Sequence, residues 1–217
     1  MRLTKVLLST LTVAAGAILS TAQTIPAPLD EPLNKSNVYL PKVNSLVARS
    51  LMLVRKNPAD VKKNKNEAFW LTWGYTAPES KYKGDKELGA LARKWTGVQL
   101  DALEKKPSGY WSLIPALQIV EFWRRSGGVP QAELEKWLKQ LRQSVVQCYN
   151  SQAGKTSWVQ SAPNTLHQAA AGLQMAVKVY GRVTPREKDL KKWSALARTC
   201  IEQAEKMQLP GGAFSYI

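Results

Sequence analysis

The stretch Lys105-Lys106-Pro107-Ser108-Gly109-Tyr110-Trp111 is repeated in outline from Gln152 to Trp158 and from Gln208 to Phe214, with a fainter copy from Asn64 to Trp70. Each of the three stronger copies follows a stretch with helical periodicity and ends in an aromatic residue. The final aromatic residues of the four copies are 41, 47 and 56 residues apart, a spacing typical of arrays of helical hairpins. The sequence therefore predicts an all-α protein built from repeated helical hairpins.

Residues 1–22 have the pattern of a secretory signal peptide. Arg2 and Lys5 precede a mostly apolar stretch, and small residues stand immediately before Gln23. The apolar stretch is too short for a good membrane anchor, and no cysteine follows it that could carry a lipid. We expect an exported chain, periplasmic or extracellular, without a transmembrane segment.

The chain after the signal peptide divides into a leader and a helical domain. Residues 23–42 contain four prolines and no apolar period, which predicts an extended leader. Residues 43–217 form the predicted repeat domain. Its first apolar stripe ends at Asn57-Pro58, and a long helix is predicted from Asp85 to Lys106.

Two hairpins stand out in the second half of the chain. The first begins with a helix over about 113–125 and turns at Gly127-Gly128-Val129-Pro130, and the second begins with a helix over about 163–180. In the second hairpin, Gly181 is predicted to end the first helix. Thr184-Pro185-Arg186-Glu187 is predicted to cap the next one. Since a hairpin cannot bury its apolar stripe alone, the hairpins must pack side by side.

The chain is strongly basic, with 31 Lys and Arg against 16 Asp and Glu and a formal net charge of +15. Such an excess attracts anionic partners, among them acidic polysaccharide, nucleic acid and lipid head groups. The lysines are spread over helix ends and exposed faces, and no nucleic-acid-binding motif is present. We favour a solvated basic surface and do not expect nucleic acid as a partner.

Cys148 and Cys200 are the only cysteines, and an exported chain could oxidise them. Relative to the repeated stretch that follows each of them, the two positions differ by about one helical turn. This offset favours two buried thiols over a disulfide.

The form Gln-x-x-x-Gly-x-Trp/Phe, placed after a repeated helix, resembles the QW motif of the terpenoid cyclases, and the repeats of protein prenyltransferase β-subunits are similar. The stretch from Gln208 to Phe214 is the closest copy; the stretch from Gln152 lacks the internal glycine, and Lys105 replaces the glutamine. The resemblance covers Glu67 to Ile217 and implies part of an α/α toroid, in which inner and outer helices alternate around a cavity. Because the last copy should open another hairpin, we expect the domain to be incomplete at its C-terminus.

The sequence lacks the catalytic and metal-binding motifs of these families. The Asp-x-Asp-Asp acid of squalene-type cyclases is missing, as is the Cys-Gly-Glu-Gln thioester of complement-like toroids. Zinc-binding prenyltransferases use an Asp, a Cys and a His, but the only histidine is His167 and neither cysteine has a matching arrangement. We expect no metal or cofactor and predict a binding or interaction scaffold, since a fold does not imply a function.

The repeated stretches are expected at one end of the array, where they gather aromatic residues on one rim. The final aromatic of each copy is expected to fill the gap between hairpins, which leaves Tyr110 and Tyr216 freer to face a ligand. The partner would be an acidic polysaccharide or an apolar ligand, and the candidate binding residues are Tyr110, Trp111, Trp158 and Tyr216. The expected rim also includes Trp70, Trp73, Tyr75 and Phe214.

The alternative function is a polysaccharide lyase or another carbohydrate-active α/α-toroid enzyme that acts on acidic glycans. Asn164 and His167 stand three residues apart near a helix N-terminus, which resembles the Asn and His pair of lyases built on α/α toroids. Those enzymes also need a Tyr or His acid/base, and the sequence does not identify one. We favour Asn164 as a helix cap, His167 as a hydrogen-bonded helix residue, and Glu121 as the ion-pair partner of Arg124 or Arg125.

Overall fold

Every regular element that the structure, a computed structural model, describes in residues 39–154 and 162–207 is helical, so the all-α prediction is confirmed. The predicted signal peptide, most of the predicted leader, and Trp158, Phe214 and Tyr216 lie outside these residues. A single 3₁₀ turn, Lys65–Glu67, stands between the second and third helices. The α-helices are α1 Leu40–Lys56, α2 Val61–Asn64, α3 Ala68–Thr76, α4 Lys86–Lys105, α5 Tyr110–Ser126, α6 Gln131–Gln152, α7 Pro163–Val183 and α8 Leu190–Lys206.

Several helix ends follow local sequence signals. Asp85 caps α4, because its Oδ1 accepts the backbone N–H of Leu88 at 2.8 Å. Gly127 ends α5 with φ +64°, a left-handed conformation that favours glycine. At the start of α1, Pro41 occupies the first turn, where a missing N–H is tolerated. Residues 40–42 are therefore helical, and the extended leader was predicted to run three residues too far.

The predicted boundary of the second hairpin is wrong. α7 continues through Gly181 to Val183, and α8 begins only at Leu190. Thr184 does not cap α8; its hydroxyl donates back to the carbonyl oxygen of Tyr180 at 3.3 Å.

The reason for the longer turn is an arginine from a different helix. Arg142 of α6 donates to the carboxylates of Glu187 and Asp189 at 3.1 and 2.6 Å. The N–H of Asp189 also donates to Glu187 Oε1 at 3.2 Å. These contacts hold residues 184–189 as a turn, so Glu187 is not available for the predicted capping box.

The helices form two layers. α3, α5 and α7 pack against one another in that order and make one layer, which we call the inner layer; α4 packs on α6 and α6 on α8 in the other, the outer layer. The hairpin partners α3 and α4, α5 and α6, and α7 and α8 pack across the two layers, and α1 packs on α3.

Contacts between α4 and α6 show the direction of neighbouring helices within a layer. Arg93 near the start of α4 pairs with Glu133 near the start of α6, while Asp101 and Gln140 meet further along. α4 and α6 are therefore parallel. So are α5 and α7, since Tyr110 at the start of α5 lies beside Gly172, and Glu121 further along α5 pairs with Arg182 further along α7. The α4–α5 and α6–α7 links join helix ends on one side of the array, the link end, opposite the hairpin turns at the turn end.

Trp123 of α5 lies at the centre of the core. It is 1% exposed, and its Nε1 donates to Thr96 of α4 at 3.2 Å. Its ring lies 5.4 Å from that of Tyr75 on α3 and 6.2 Å from that of Trp137 on α6. Tyr75 is therefore half-buried and packs beside the turn end of α5, and Trp73 is buried. The expectation that both lie on an aromatic rim at the link end is wrong.

Gly74 is a point of close approach between α3 and α1, and substituting it tests this packing. A Cβ at this position would lie 2.5 Å from Cγ1 of the buried, β-branched Val47, which cannot rotate away freely. We expect Gly74→Ala to lower the free energy of unfolding by about 1–3 kcal/mol through overpacking. The measurement is urea unfolding followed by far-UV circular dichroism.

Gly97 of α4 is the matched control, because nothing lies within 4 Å of an added Cβ. We expect Gly97→Ala to raise the free energy of unfolding by about 0.5–1 kcal/mol, the gain in helix propensity. Adding Val47→Ala should restore part of the stability of Gly74→Ala. If both glycine variants shift stability in the same direction and by the same amount, the close packing of α1 on α3 is contradicted.

Candidate functional site

Tyr110 and Trp111 are the first two residues of α5, at the link end, and their side chains have different environments. Trp111 is 70% exposed. The Cβ of Tyr110 lies 3.6 Å from the position that a Cβ of Gly172 on α7 would occupy, so Tyr110 packs against α7. The packing role predicted for Trp111 is therefore filled by its neighbour. Consecutive helical residues point about 100° apart, so when one side chain faces α7 the next turns outward.

A cleft of about 270 Å³ lies beside the α4–α5 link. Serine side chains hold the α4–α5 link in place. The N–H of Ser108 donates to Ser144 Oγ at 3.2 Å, and Ser108 Oγ donates to Ser112 Oγ at 3.3 Å. Ser112, which lines the cleft, follows Trp111 directly in the sequence, while Trp111 itself is not one of the lining residues. The lining residues are Lys65, Asn66, Gln99, Ala102, Leu103, Lys106, Pro107, Ser108 and Ser112.

The polar groups of the cleft are suited to a ligand that has both hydroxyl and anionic groups. Gln99 Oε1 is buried and has no hydrogen-bond partner among the described residues, so it can accept a bond from a hydroxyl group. Lys65 and Lys106 contribute two positive charges, and no Asp or Glu lines the cleft. The N-terminus of α5 adds backbone N–H groups and a favourable dipole for an anion.

The surface of the inner layer beside Trp111 is small and polar. Because Gly172 faces Tyr110 and Ile114, Ala171 is level with Trp111 on the next parallel helix. Ala171 belongs to an exposed stripe of α7 that also contains Asn164, His167 and Gln174. α7 contains no Asp or Glu, and the only carboxylate of α5 is Glu121.

The structure places Asn164 and His167 on one exposed side of α7, as predicted. Asn164 is the second residue of the helix, however, and Ala162 holds the N-cap position, so the predicted cap is wrong in its position. Pro163 takes the first helical position, for which its fixed φ is suited. Asn164 Oδ1 accepts the N–H of Thr165 at 2.8 Å, which satisfies a donor of the first turn.

Glu121 lies at the opposite end of the inner layer and is fully buried, with 0% exposure. Both of its carboxylate oxygens accept from Arg124, at 2.6 and 3.0 Å, which confirms the predicted ion pair within α5. Arg182 of α7 also donates to Glu121 Oε1 at 2.6 Å. This second partner was not predicted from the sequence, because it depends on the parallel register of α5 and α7.

The thiols are buried and unbridged. Cys148 and Cys200 are both free, as the offset between their positions favoured. Burial raises the pKa of the Cys148 thiol to about 12, with a smaller effect from nearby Cys200, and burial also raises the pKa of Cys200. Neither is suited to act as a nucleophile, which requires the thiolate.

Tyr180 is not suited to act as the acid/base of a lyase. Its hydroxyl donates to the carbonyl oxygen of Leu138 at 2.6 Å, and burial raises its pKa above the ordinary value. In the described part of the chain, no three or more His, Cys, Asp or Glu side chains are grouped so as to hold a metal ion. None of the described helices is long and apolar enough to cross a bilayer.

Tyr110 and Trp111 are thus the two predicted binding residues that the structure brings together, with ring centroids 5.8 Å apart. Trp158 and Tyr216 lie outside the described residues. Comparisons of the chain with family models, with curated proteins and with solved structures find no match.

Proposed function

We propose that this chain is an exported binding scaffold of the α/α-toroid type, and that its link end binds an anionic carbohydrate. The observation that carries the proposal is the 70% exposed side chain of Trp111, one residue before Ser112 of a cleft that has cationic and hydroxyl groups. A large exposed aromatic side chain offers a flat apolar face and one polar N–H. Sugar rings present an apolar face of C–H groups and a hydroxyl edge, which fits that combination.

The arrangement of the helices supports the toroid part of the proposal. Inner and outer layers alternate along the chain, and each hairpin adds one helix to each layer. Further hairpins added in the same way would extend an arc around the face that carries Trp111. The resemblance to terpenoid cyclase and prenyltransferase repeats points to the same architecture.

The charge distribution supports an anionic ligand. The net charge of +15 attracts anions from solution. On the inner layer, the one carboxylate of α5 and α7 is buried between Arg124 and Arg182, so it does not repel an approaching anion. Lys65 and Lys106 then bring positive charge to the cleft itself.

Binding to anionic oligosaccharides tests the proposal by isothermal titration calorimetry. The probes are alginate, pectic and heparin-like fragments, titrated into the full chain at low and at high salt. We expect Trp111→Ala to weaken binding by about ten-fold or more, as loss of a central aromatic contact does. Lys65→Ala with Lys106→Ala should weaken binding and reduce its salt dependence, because exposed charges are screened by salt.

Met52→Ala is the matched control, since Met52 is a large apolar side chain of α1 that is 59% exposed. It should leave binding unchanged. Binding that is equally strong in Trp111→Ala, or no binding to any of the three probes, contradicts the proposal. Release of unsaturated sugars, seen as new ultraviolet absorbance and lost in His167→Ala, would support the lyase alternative over a scaffold.

A further inference from the structure

The three helices of the inner layer carry their Lys and Arg residues at one end. α3 contains no Lys, Arg, Asp or Glu, and the one carboxylate of α5 and α7 is that of Glu121. The basic residues are Arg124 and Arg125 of α5 and Lys178 and Arg182 of α7, all in the last two turns of their helices. By contrast, α4, α6 and α8 of the outer layer each mix acidic and basic residues. The positive charge of the inner layer therefore lies at the turn end.

This charge exceeds what the helix ends themselves offset. Each helix C-terminus is equivalent to about half a negative charge, so α5 and α7 together offset about one positive charge. Glu121 offsets another, and about two of the four positive charges remain to attract an anion. Carboxylates of the outer layer near this end have contacts of their own: Glu133 with Arg93, Glu135 with Gln131, and Glu187 and Asp189 with Arg142.

Arg182 is held at the turn end by a carboxylate that already has a partner. Arg124 contacts both oxygens of the buried Glu121, at 2.6 and 3.0 Å, and so compensates its charge. Arg182 adds a second guanidinium at Oε1, 2.6 Å away, through Nη1 alone. A guanidinium has five N–H donors, and the other nitrogens of Arg182 make no hydrogen bond to the residues that the structure describes. Since its side chain is 43% exposed, Arg182 is fixed in place and can still donate to a ligand.

Arg125 lies on the same side of α5 as the exposed Trp111. Trp111, Gln118 and Arg125 are spaced seven residues apart, and seven residues make nearly two helical turns, with a drift of about 20° per step. Trp111 and Arg125 are exposed, and Gln118 is half-buried. The distance along the helix from Trp111 to Arg125 is about 21 Å. An aromatic ring, an amide and a guanidinium thus follow one side of α5 from the link end to the turn end.

We propose that Arg125 and Arg182 form a second anion-binding site, which takes an oxyanion group of the same carbohydrate chain that binds at Trp111. This inference rests on the proposed function, and it makes the ligand an extended polyanion rather than a single sugar acid. The planar forks of the arginines match carboxylate and sulfate oxygens. Gln118, between the two ends, offers a donor and an acceptor to hydroxyl groups. Glu121 acts as a positioning residue for Arg182.

Calorimetric titration of the full chain with size-fractionated alginate and heparin-like fragments tests the site. Fragments long enough to reach from Trp111 to Arg125 should bind more tightly than disaccharides of the same polymer. Arg125→Gln and Arg182→Gln should each weaken the binding of long fragments by about ten-fold, because hydrogen bonds to charged groups are the stronger ones. Neither should weaken the binding of disaccharides, whereas Trp111→Ala should weaken both. Arg125 is exposed, so Arg125→Gln keeps the test valid if Arg182→Gln impairs folding.

Arg198→Gln is the matched control, because Arg198 is an exposed arginine of α8 in the outer layer. It removes the same charge and should leave the affinity for long fragments unchanged. An equal loss in this control would reduce the effect to net charge and overturn the second site. So would long fragments that bind Arg125→Gln as tightly as the unchanged chain, or an equal loss for long fragments and disaccharides.

The same titrations separate this inference from the proposed function. If binding depends on Trp111 but not on the two arginines, the proposed function stands and the second site is wrong. If long fragments depend on the arginines but not on Trp111, the second site stands and binding at the link end is contradicted. Absence of binding to every fragment overturns both.

Discussion

Trp123→Ala is expected to lower the free energy of unfolding by about 3–5 kcal/mol, the usual range for removing a fully buried tryptophan. Three other helices meet at this side chain. Its ring packs on Tyr75 and Trp137, and its N–H donates to Thr96, whose hydroxyl lies 3.3 Å from that of Thr72. Truncation therefore leaves a cavity where α3, α4 and α6 converge on α5. Urea unfolding followed by fluorescence and by circular dichroism measures the change.

Trp111→Ala is the control for this experiment, since the same chemical change is made at a site that is 70% exposed. We expect it to change stability by less than about 0.5 kcal/mol, as surface substitutions usually do. Thr96→Val separates the hydrogen bond from the packing and should cost about 1 kcal/mol. If Trp123→Ala is as mild as Trp111→Ala, Trp123 does not hold the layers together.

Arg124→Ala combined with Arg182→Ala is expected to destabilise the protein by about 3–5 kcal/mol, because the double change leaves the carboxylate of Glu121 buried without a partner. Glu121 is 0% exposed, and these two arginines form ion pairs with it at 2.6 Å. Arg182→Ala alone should have a smaller effect, since Arg124 still contacts both carboxylate oxygens. Denaturant unfolding of the single and double variants measures the coupling free energy between Arg124 and Arg182.

Two further variants make this prediction specific. Arg55→Ala removes an arginine from a pair whose side chains are 54% and 57% exposed, and it should change the free energy of unfolding far less than the double variant does, because exposed ion pairs contribute little to stability. Glu121→Leu added to the double variant should recover much of the lost stability, because it replaces the stranded charge with an apolar side chain. No recovery would show that the loss comes from the arginine side chains rather than from the buried carboxylate.

Local signals predicted most of the helices. The apolar stripe ending at Asn57 and the helix predicted from Asp85 to Lys106 gave helix ends that the structure confirms. The turn after α7 was predicted wrongly from equally good local signals, Gly181 and the sequence from Thr184 to Glu187. Arg142 lies some forty positions earlier in the chain, and no local pattern shows that its guanidinium reaches this turn.

Some features of the candidate site were likewise predicted from the sequence, and others depend on the tertiary structure. The repeated stretch pointed to the link before α5 and to its two aromatic residues. Which of them faces outward depends on the contact of Tyr110 with Gly172, and that contact exists only because α5 and α7 are neighbours in one layer. The cleft beside the link also joins Lys65 to Lys106, from elements that are distant in the chain.

The sequence by itself determined that this protein is all-α, that its helices come in hairpins, and that an aromatic pair stands at the link before α5. These features rest on periodicity and turn chemistry, which act over a few residues. Only the tertiary structure decided that Trp111 is the exposed member of the pair and that Glu121 joins α5 to α7. Each depends on the register of helices in one layer, which is set by packing between residues far apart in the chain.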